Sequence, residues 1–362
     1  MDIVEILSSS QRGRRLSFEM VREHEDRTLN ATGGTGPLLA WMLRHPEVDC
    51  LGPGAGQIRN TCAEGLGEAL GQCALPEPSA ASWRRALYAS VECAAYWQPA
   101  DSVDTLLGYE EVRPALRRVA RYLAQHWPAS FTAPVQREAQ FQVAFVDDSD
   151  IDLYAYGTRP PAEVLGRWHE QVTADEYRNR KNLVRPIQHC PNGKWWVTPG
   201  PGLYESSATF ADVAPLALWC QEDDLGWTEA HSAALHIPDG GAVYEVHQPA
   251  DWVELCRRYP LEVSANMRRV WWECTRRDGR WVIPNWQQVA RDYMGVHLSV
   301  AGYLGCAGEV IDVGAETASM VAGWAPDVTY WFDPRVMIRE PIHCWSVRDV
   351  EGVGEQWERV VT

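Results

Sequence analysis

The chain has 362 residues, too many for one ordinary compact domain, and two are expected, with one large α+β unit as the alternative. Hydrophobic residues make up 46% and charged residues 23%, values that exclude disordered and collagen-like architectures. With 33 basic against 49 acidic residues the net charge is −16, which repels a phosphate backbone and argues against non-specific nucleic-acid binding.

The first ten residues lack a basic stretch followed by an apolar core, and no run approaches 18 apolar residues. A cytoplasmic chain with no membrane association is therefore expected. To about Pro128 the apolar residues recur every three or four positions. That spacing predicts helices over Leu16–Asn30, Pro37–His45, Thr61–Gln72, Ala80–Tyr96 and Glu110–Trp127. Ser82 and Asp104 are candidate helix starts. Gly33–Gly36 and Gly52–Gly56 read as turns, since neither carries a phosphate-loop Gly-Lys-Ser/Thr.

Beyond Ala129–Val135 the period changes. Gln140–Phe145 and Ile151–Tyr156 alternate like strands, and Pro161–Asn182 reads as a charged helix. Strands are then predicted over Leu216–Cys220, Ala233–Ile237, Ala242–His247, Val296–Val300, Met320–Trp324 and Val328–Phe332. Helices are predicted over Ala250–Tyr259, where Asp251 serves as cap, and Asn285–Tyr293. The fold class expected is α+β: a helical domain over 1–130, and a Trp-rich mixed domain over 131–362 with a small, mostly antiparallel sheet.

Thirteen of the 18 tryptophans lie from Trp195 onward. Neighbours on a strand face opposite sides, so half of each pair, Trp195–Trp196 and Trp271–Trp272, is open to solvent or to a cleft if these segments are strands; the alternative reading of the tryptophans is an aromatic-rich core. The ten cysteines are scattered singly, with no Cys-x-x-Cys, and reduced thiols are expected. Cys190 beside His189 has no second dyad at matching spacing, so no metal is assigned. His231 and His236, five apart, suit neither one helix face nor one strand face, and Glu358 reads as a solvated tail residue. The arginines crowded between Cys256 and Trp281 read as a solvated face. There is no Gly-x-Ser-x-Gly, no kinase set and no His-Glu-x-x-His.

Chemistry concentrates in Ala242–Asp333. There Trp286-x-x-Val289-Ala290-x-x-Tyr293-x-x-Val296-His297-Leu298-Ser299-Val300-x-Gly302-Tyr303-Leu304 is followed by Gly323-Trp324-Ala325-Pro326-Asp327-x-Thr329-x-Trp331. This pattern resembles an uncharacterised actinobacterial protein family, over about Trp195–Asp333, and implies kinship without an activity. A second resemblance is to ADP-ribosyltransferase-like folds, carried by the hydroxyl-rich Tyr204-Glu205-Ser206-Ser207-Ala208-Thr209 and by Glu245, His247 and His297 near strand ends. It implies a split sheet that holds NAD as substrate, although no first-strand Arg is identifiable.

The expected catalytic residues are Glu245, His297 and His247. Trp195, Trp196, Tyr204, Ser206, Ser207 and Trp324 are the expected ligand-binding residues. A carboxylate inside an apolar strand has a raised pKa if it is buried unpaired, which suits acid–base work. Alternation puts Glu245 and His247 on one face. The functional expectation is an enzyme acting on a small molecule or NAD; the alternative is an aromatic-rich module recognising a protein or peptide partner.

Overall fold

The computed structural model describes residues 2–46, 56–146, 153–191, 193–211, 213–350 and 354–360. They divide into two compact units, Met1–Ala95 with Pro99–Ala129, and Tyr96–Gln98 with Ser130–Thr362. Cys50 and most of Gly52–Gly56 lie outside the described residues.

The first unit is helical: α1 (Ile3–Ser9), α2 (Gln11–Thr32), α3 (Pro37–Arg44), α4 (Gly56–Gln72), α5 (Ala80–Glu92), α6 (Ser102–Leu107) and α7 (Arg113–Gln125). Their starts are set by short polar side chains that accept from orphan backbone N–H groups. Ser10 opens α2, Ser79 opens α5 and Asp101 opens α6. The caps therefore lie three residues before the expected Ser82 and Asp104. Gly33 ends α2 with a φ of 72°, a left-handed conformation that glycine adopts without a Cβ penalty. Inside the unit, Arg12 is fully buried and pairs with Asp104, while Arg15 binds Glu19, Asp101 and Asp104.

The second unit contains β1 (Gln140–Phe145), α8 (Pro161–Asn179), β2 (Glu205–Phe210), β3 (Ala214–Pro215), β4 (Glu229–His236) and β5 (Val243–Val246). It continues with α9 (Pro249–Arg258), β6 (Pro260–Glu262), α10 (Arg268–Thr275), β7 (Arg280–Pro284), α11 (Trp286–Val289) and β8 (Gly295–Leu298). It closes with α12 (Val300–Cys306), β9 (Ile311–Gly314), β10 (Thr317–Ser319), β11 (Val328–Trp331), β12 (Met337–Val350) and β13 (Gly354–Arg359). The main sheet has nine strands in the order β13-β12-β4-β1-β2-β11-β8-β5, with β3 on β2. Only its β5–β8 pair is parallel. A second sheet has the order β6-β7-β10-β9. The class is α+β, and the main sheet is larger than the small one expected.

The extra strands are the reason. Glu205–Phe210 is rich in hydroxyls, and Met337–Val350 carries Arg339, Glu340, Pro341, Arg348 and Asp349 with an irregular register between Arg339 and His343. A bulge and a proline break the alternation that would mark such a strand. Glu358 accordingly lies in β13, exposed but paired opposite Ser346.

Three strand predictions fail. Of Ile151–Tyr156, the first two residues lie outside the described ones and Leu153–Ala155 is a single 3-10 turn, as is Leu216–Leu218, while Met320–Trp324 contributes only an isolated bridge at Val321. Each is a short apolar run, which periodicity alone cannot assign. The helix expected over Asn285–Tyr293 is confined to Trp286–Val289. Trp271 and Trp272 sit on α10, so strand alternation does not apply to them: Trp271 is buried and Trp272 is half-buried.

The tryptophans build the core of this unit. Trp252, Trp286 and Trp324 are fully buried and meet one another at ring-centroid distances of 5.4–6.2 Å. Each indole N–H finds an acceptor: Ser319 Oγ at 2.9 Å, the Val197 carbonyl at 2.7 Å and the Val328 carbonyl at 3.0 Å. A buried indole needs that single partner, and with it contributes a large apolar area.

Candidate functional site

Register across the sheet places two different groups of polar residues on its two faces. Glu245 pairs with His297, His297 with Thr329, and Thr329 with Ser206, so these four share one face in a row across β5, β8, β11 and β2. On the opposite face, Tyr330 pairs with Glu205, and Phe141 with Ser207, which brings Phe141, Val143 and Phe145 of β1 alongside.

On the first face, His297 is held between two carboxylates. His297 Nδ1 lies 2.6 Å from Glu245 Oε2, and its Nε2 lies 3.3 Å from Asp327 Oδ1. Burial alone would lower the His297 pKa. The hydrogen bonds and charges of Asp327 and Glu245 override it, and the value rises to about 9. At neutral pH this residue is an imidazolium whose two N–H groups both point at carboxylates. Their remaining oxygens are also engaged: Glu245 Oε1 accepts from Val135 N at 3.0 Å, and Asp327 Oδ2 from Ala208 N at 2.8 Å. Asp327 has a φ of 63°, a left-handed conformation that Asp tolerates better than most residues.

His247 follows β5 with its Nε2 3.9 Å from Glu245 Oε2. The expected trio of Glu245, His247 and His297 is thus brought together. However, His297 is 1% exposed and saturated, so it positions two carboxylates and has no free lone pair for accepting a proton.

The expected ligand-binding residues do not share a surface. Trp324 is fully buried in the tryptophan core. Ser206 Oγ donates to Gln140 Oε1 at 2.6 Å and accepts from Trp331 Nε1, and Ser207 Oγ accepts from Ala217 N. Tyr204 packs against the cluster of Leu235, Ile237, Met294, Trp331 and Val336. Trp195 accepts Trp271 Nε1 on its carbonyl, and Trp196 is 40% exposed beneath Lys194. Asp251 is the third residue of α9 instead of its cap, and its Oδ2 accepts from His247 N and Gln248 N.

The second face holds a cavity of about 220 Å³, walled by Phe141, Phe145, Trp227 and Tyr330, with Glu205 and Glu222 among its polar lining. Phe145 and Trp227 stack at 4.6 Å with planes 16° apart. Glu205 retains some accessible surface, yet the protein atoms crowding it push its carboxyl above the ordinary range; a hydrogen bond from Tyr330 opposes that shift. Tyr330 is in turn pushed well above its usual value by burial and by the Glu205 charge. Glu222 Oε2 accepts from Gly323 N at 2.5 Å. Aromatic walls, a titration-shifted carboxyl and a second carboxylate converging on one cavity are the arrangement expected of a binding or active site.

Sequence reasoning includes Glu205 in the hydroxyl-rich segment but gives it no role of its own, and passes over Glu222 because it sits in an acidic loop, Gln221–Asp224. The available signal was alternation: it separates Glu205 from Tyr204 and Ser206 and puts it with Ser207. Among the described residues no group of three or more His, Cys, Asp or Glu is placed to hold a metal ion, and no helix is long and apolar enough to cross a membrane. No protein-family model, no curated protein and no solved structure matches this chain.

Proposed function

We propose that the second unit is an acid–base enzyme for a small molecule, with the cavity on the Glu205 face as its active site and Glu205 as the proton-transfer group. The observation that carries this reading is the Glu205 carboxyl, raised in pKa by its surroundings and held by Tyr330 at the wall of an aromatic cavity. A carboxyl titrating nearer to neutrality exchanges a proton with a bound ligand more readily than one at its ordinary value. The volume is below the roughly 300–1,000 Å³ of clefts for drug-sized ligands, so the ligand is fragment-sized or presents a small head group. A dinucleotide such as NAD is a poor match on size, and no described lining residue carries a positive charge to meet its pyrophosphate. Recognition of a protein through exposed aromatics has little support, since Trp97, Trp196 and Tyr177 are the only exposed aromatic residues among the described ones.

The test is a ligand-observed NMR screen of fragments against the whole chain, with Ala217→Phe as the variant that fills the cavity. Hits should bind the wild type and disappear in Ala217→Phe. Glu205→Gln should leave the hits detectably bound, though more weakly, and should lose any turnover of them detected by mass spectrometry. Hits that survive the filled cavity, or turnover that survives Glu205→Gln, would sink the proposal.

A further inference from the structure

We infer that the cavity selects an organic cation, a substituted ammonium head group, with Glu222 as its counter-charge and Glu205 left for proton transfer; this rests on reading the cavity as a ligand site. Three independent features converge on that charge. The described lining contains two carboxylates and no Lys, Arg or His, so a cation entering gains attraction that no fixed positive charge cancels. The walls include Phe141, Phe145, Trp227 and Tyr330, and aromatic rings attract a desolvated cation through their quadrupoles. The chain as a whole carries −16, which raises the local concentration of cations and depletes anions at its surface.

The two carboxylates differ in a way that divides the labour. Glu222 has one oxygen held by the Gly323 N–H, which fixes the orientation of its carboxyl beside the cavity. Glu205 is held by a hydroxyl from Tyr330 on the neighbouring strand. A cation arriving next to Glu205 favours its ionised form, so binding displaces the Glu205 proton to solvent. Affinity then rises with pH through the range in which free Glu205 titrates, and flattens above it.

The experiment is isothermal titration of the full chain with choline and with 3,3-dimethylbutan-1-ol, its uncharged isostere of nearly identical shape. Choline should bind at least about tenfold more tightly, a difference of about 1.4 kcal/mol. Glu222→Gln should remove most of that difference while leaving the isostere unchanged, and Trp227→Ala, which removes a wall ring, should weaken choline more than the isostere. Repeating the choline titration in buffers of different ionisation enthalpy should reveal proton release. Equal binding of choline and its isostere, or a choline affinity indifferent to Glu222→Gln, overturns the cation assignment while the cavity stands, provided Ala217→Phe blocks both. Failure of both probes, when fragments from the screen do bind, also overturns the cation assignment alone. If neither the probes nor any fragment binds, the cavity reading itself falls.

Discussion

Between its two carboxylates, His297 keeps its proton to about pH 9, although its burial favours the neutral ring. A histidine whose folded pKa lies above its unfolded value of 6.5 contributes stability that is complete below pH 6.5 and is lost as pH rises through 9. The contribution is on the order of 3 kcal/mol. Thermal melts of the wild type should therefore show a falling melting temperature for the second unit across this window, and His297→Gln should start lower and lack that slope. Thr329 makes a complementary case. Its Oγ1 is fully buried with no hydrogen-bond partner, directly between His297 and Ser206 in the row. Thr329→Val removes the unpaired hydroxyl at nearly constant shape and should raise stability by about 1 kcal/mol in denaturant titrations. At this scale alternation within one strand made the proximity of Glu245 and His247 legible. Asp327, the residue that completes the bridge, lies 30 positions beyond His297 in a left-handed turn, and local spacing carries no sign of that meeting.

Helix starts show how far an element depends on residues outside it. The first turn of α3 follows Gly36, which has no side chain for capping. Glu25 of α2 supplies the acceptors, with Leu38 N and Leu39 N at 3.3 and 2.8 Å from its carboxylate. A Cβ on Gly36 would lie 2.2 Å from that carboxyl carbon, so the glycine is what admits the cap. Glu25→Ala should destabilise the first unit by roughly 2 kcal/mol, because two buried N–H groups lose their acceptor. Faster hydrogen exchange at Leu38 and Leu39 would localise the loss, and unchanged exchange there would refute the cap. Glu176 of α8 plays the same part for the Ala265–Asn266 turn that leads into α10. Amphipathic spacing made α2, α3, α4, α5 and α7 legible, because each buries one continuous stripe. It did not reveal β12, whose partly exposed, charge-bearing residues obey no apolar period.

Over the whole molecule, the two compact units predict more than one unfolding transition. Only Trp41, Trp83 and Trp127 belong to the first unit, so tryptophan fluorescence reports mainly on the second. Far-ultraviolet circular dichroism is weighted towards the helical first unit. The two signals should give non-coincident urea midpoints, and superimposable curves would show that the units unfold together. Trp324→Ala, which empties the centre of the tryptophan core, should cost about 3–5 kcal/mol and shift the fluorescence transition.

What the amino-acid order determined by itself was composition and period: a helical first part, a tryptophan-rich α+β second part, and the strands that carry Glu245 and His297. What tertiary structure alone decided was which face each strand shares with its neighbours. Alternation sets the relative side of two residues within a strand, but strand neighbours are chosen by pairings between distant segments, and a single-residue slip exchanges the faces. That choice closed Glu245, His297 and Asp327 into a saturated bridge, sank Trp324 into the core, and left Glu205 and Tyr330 facing the cavity.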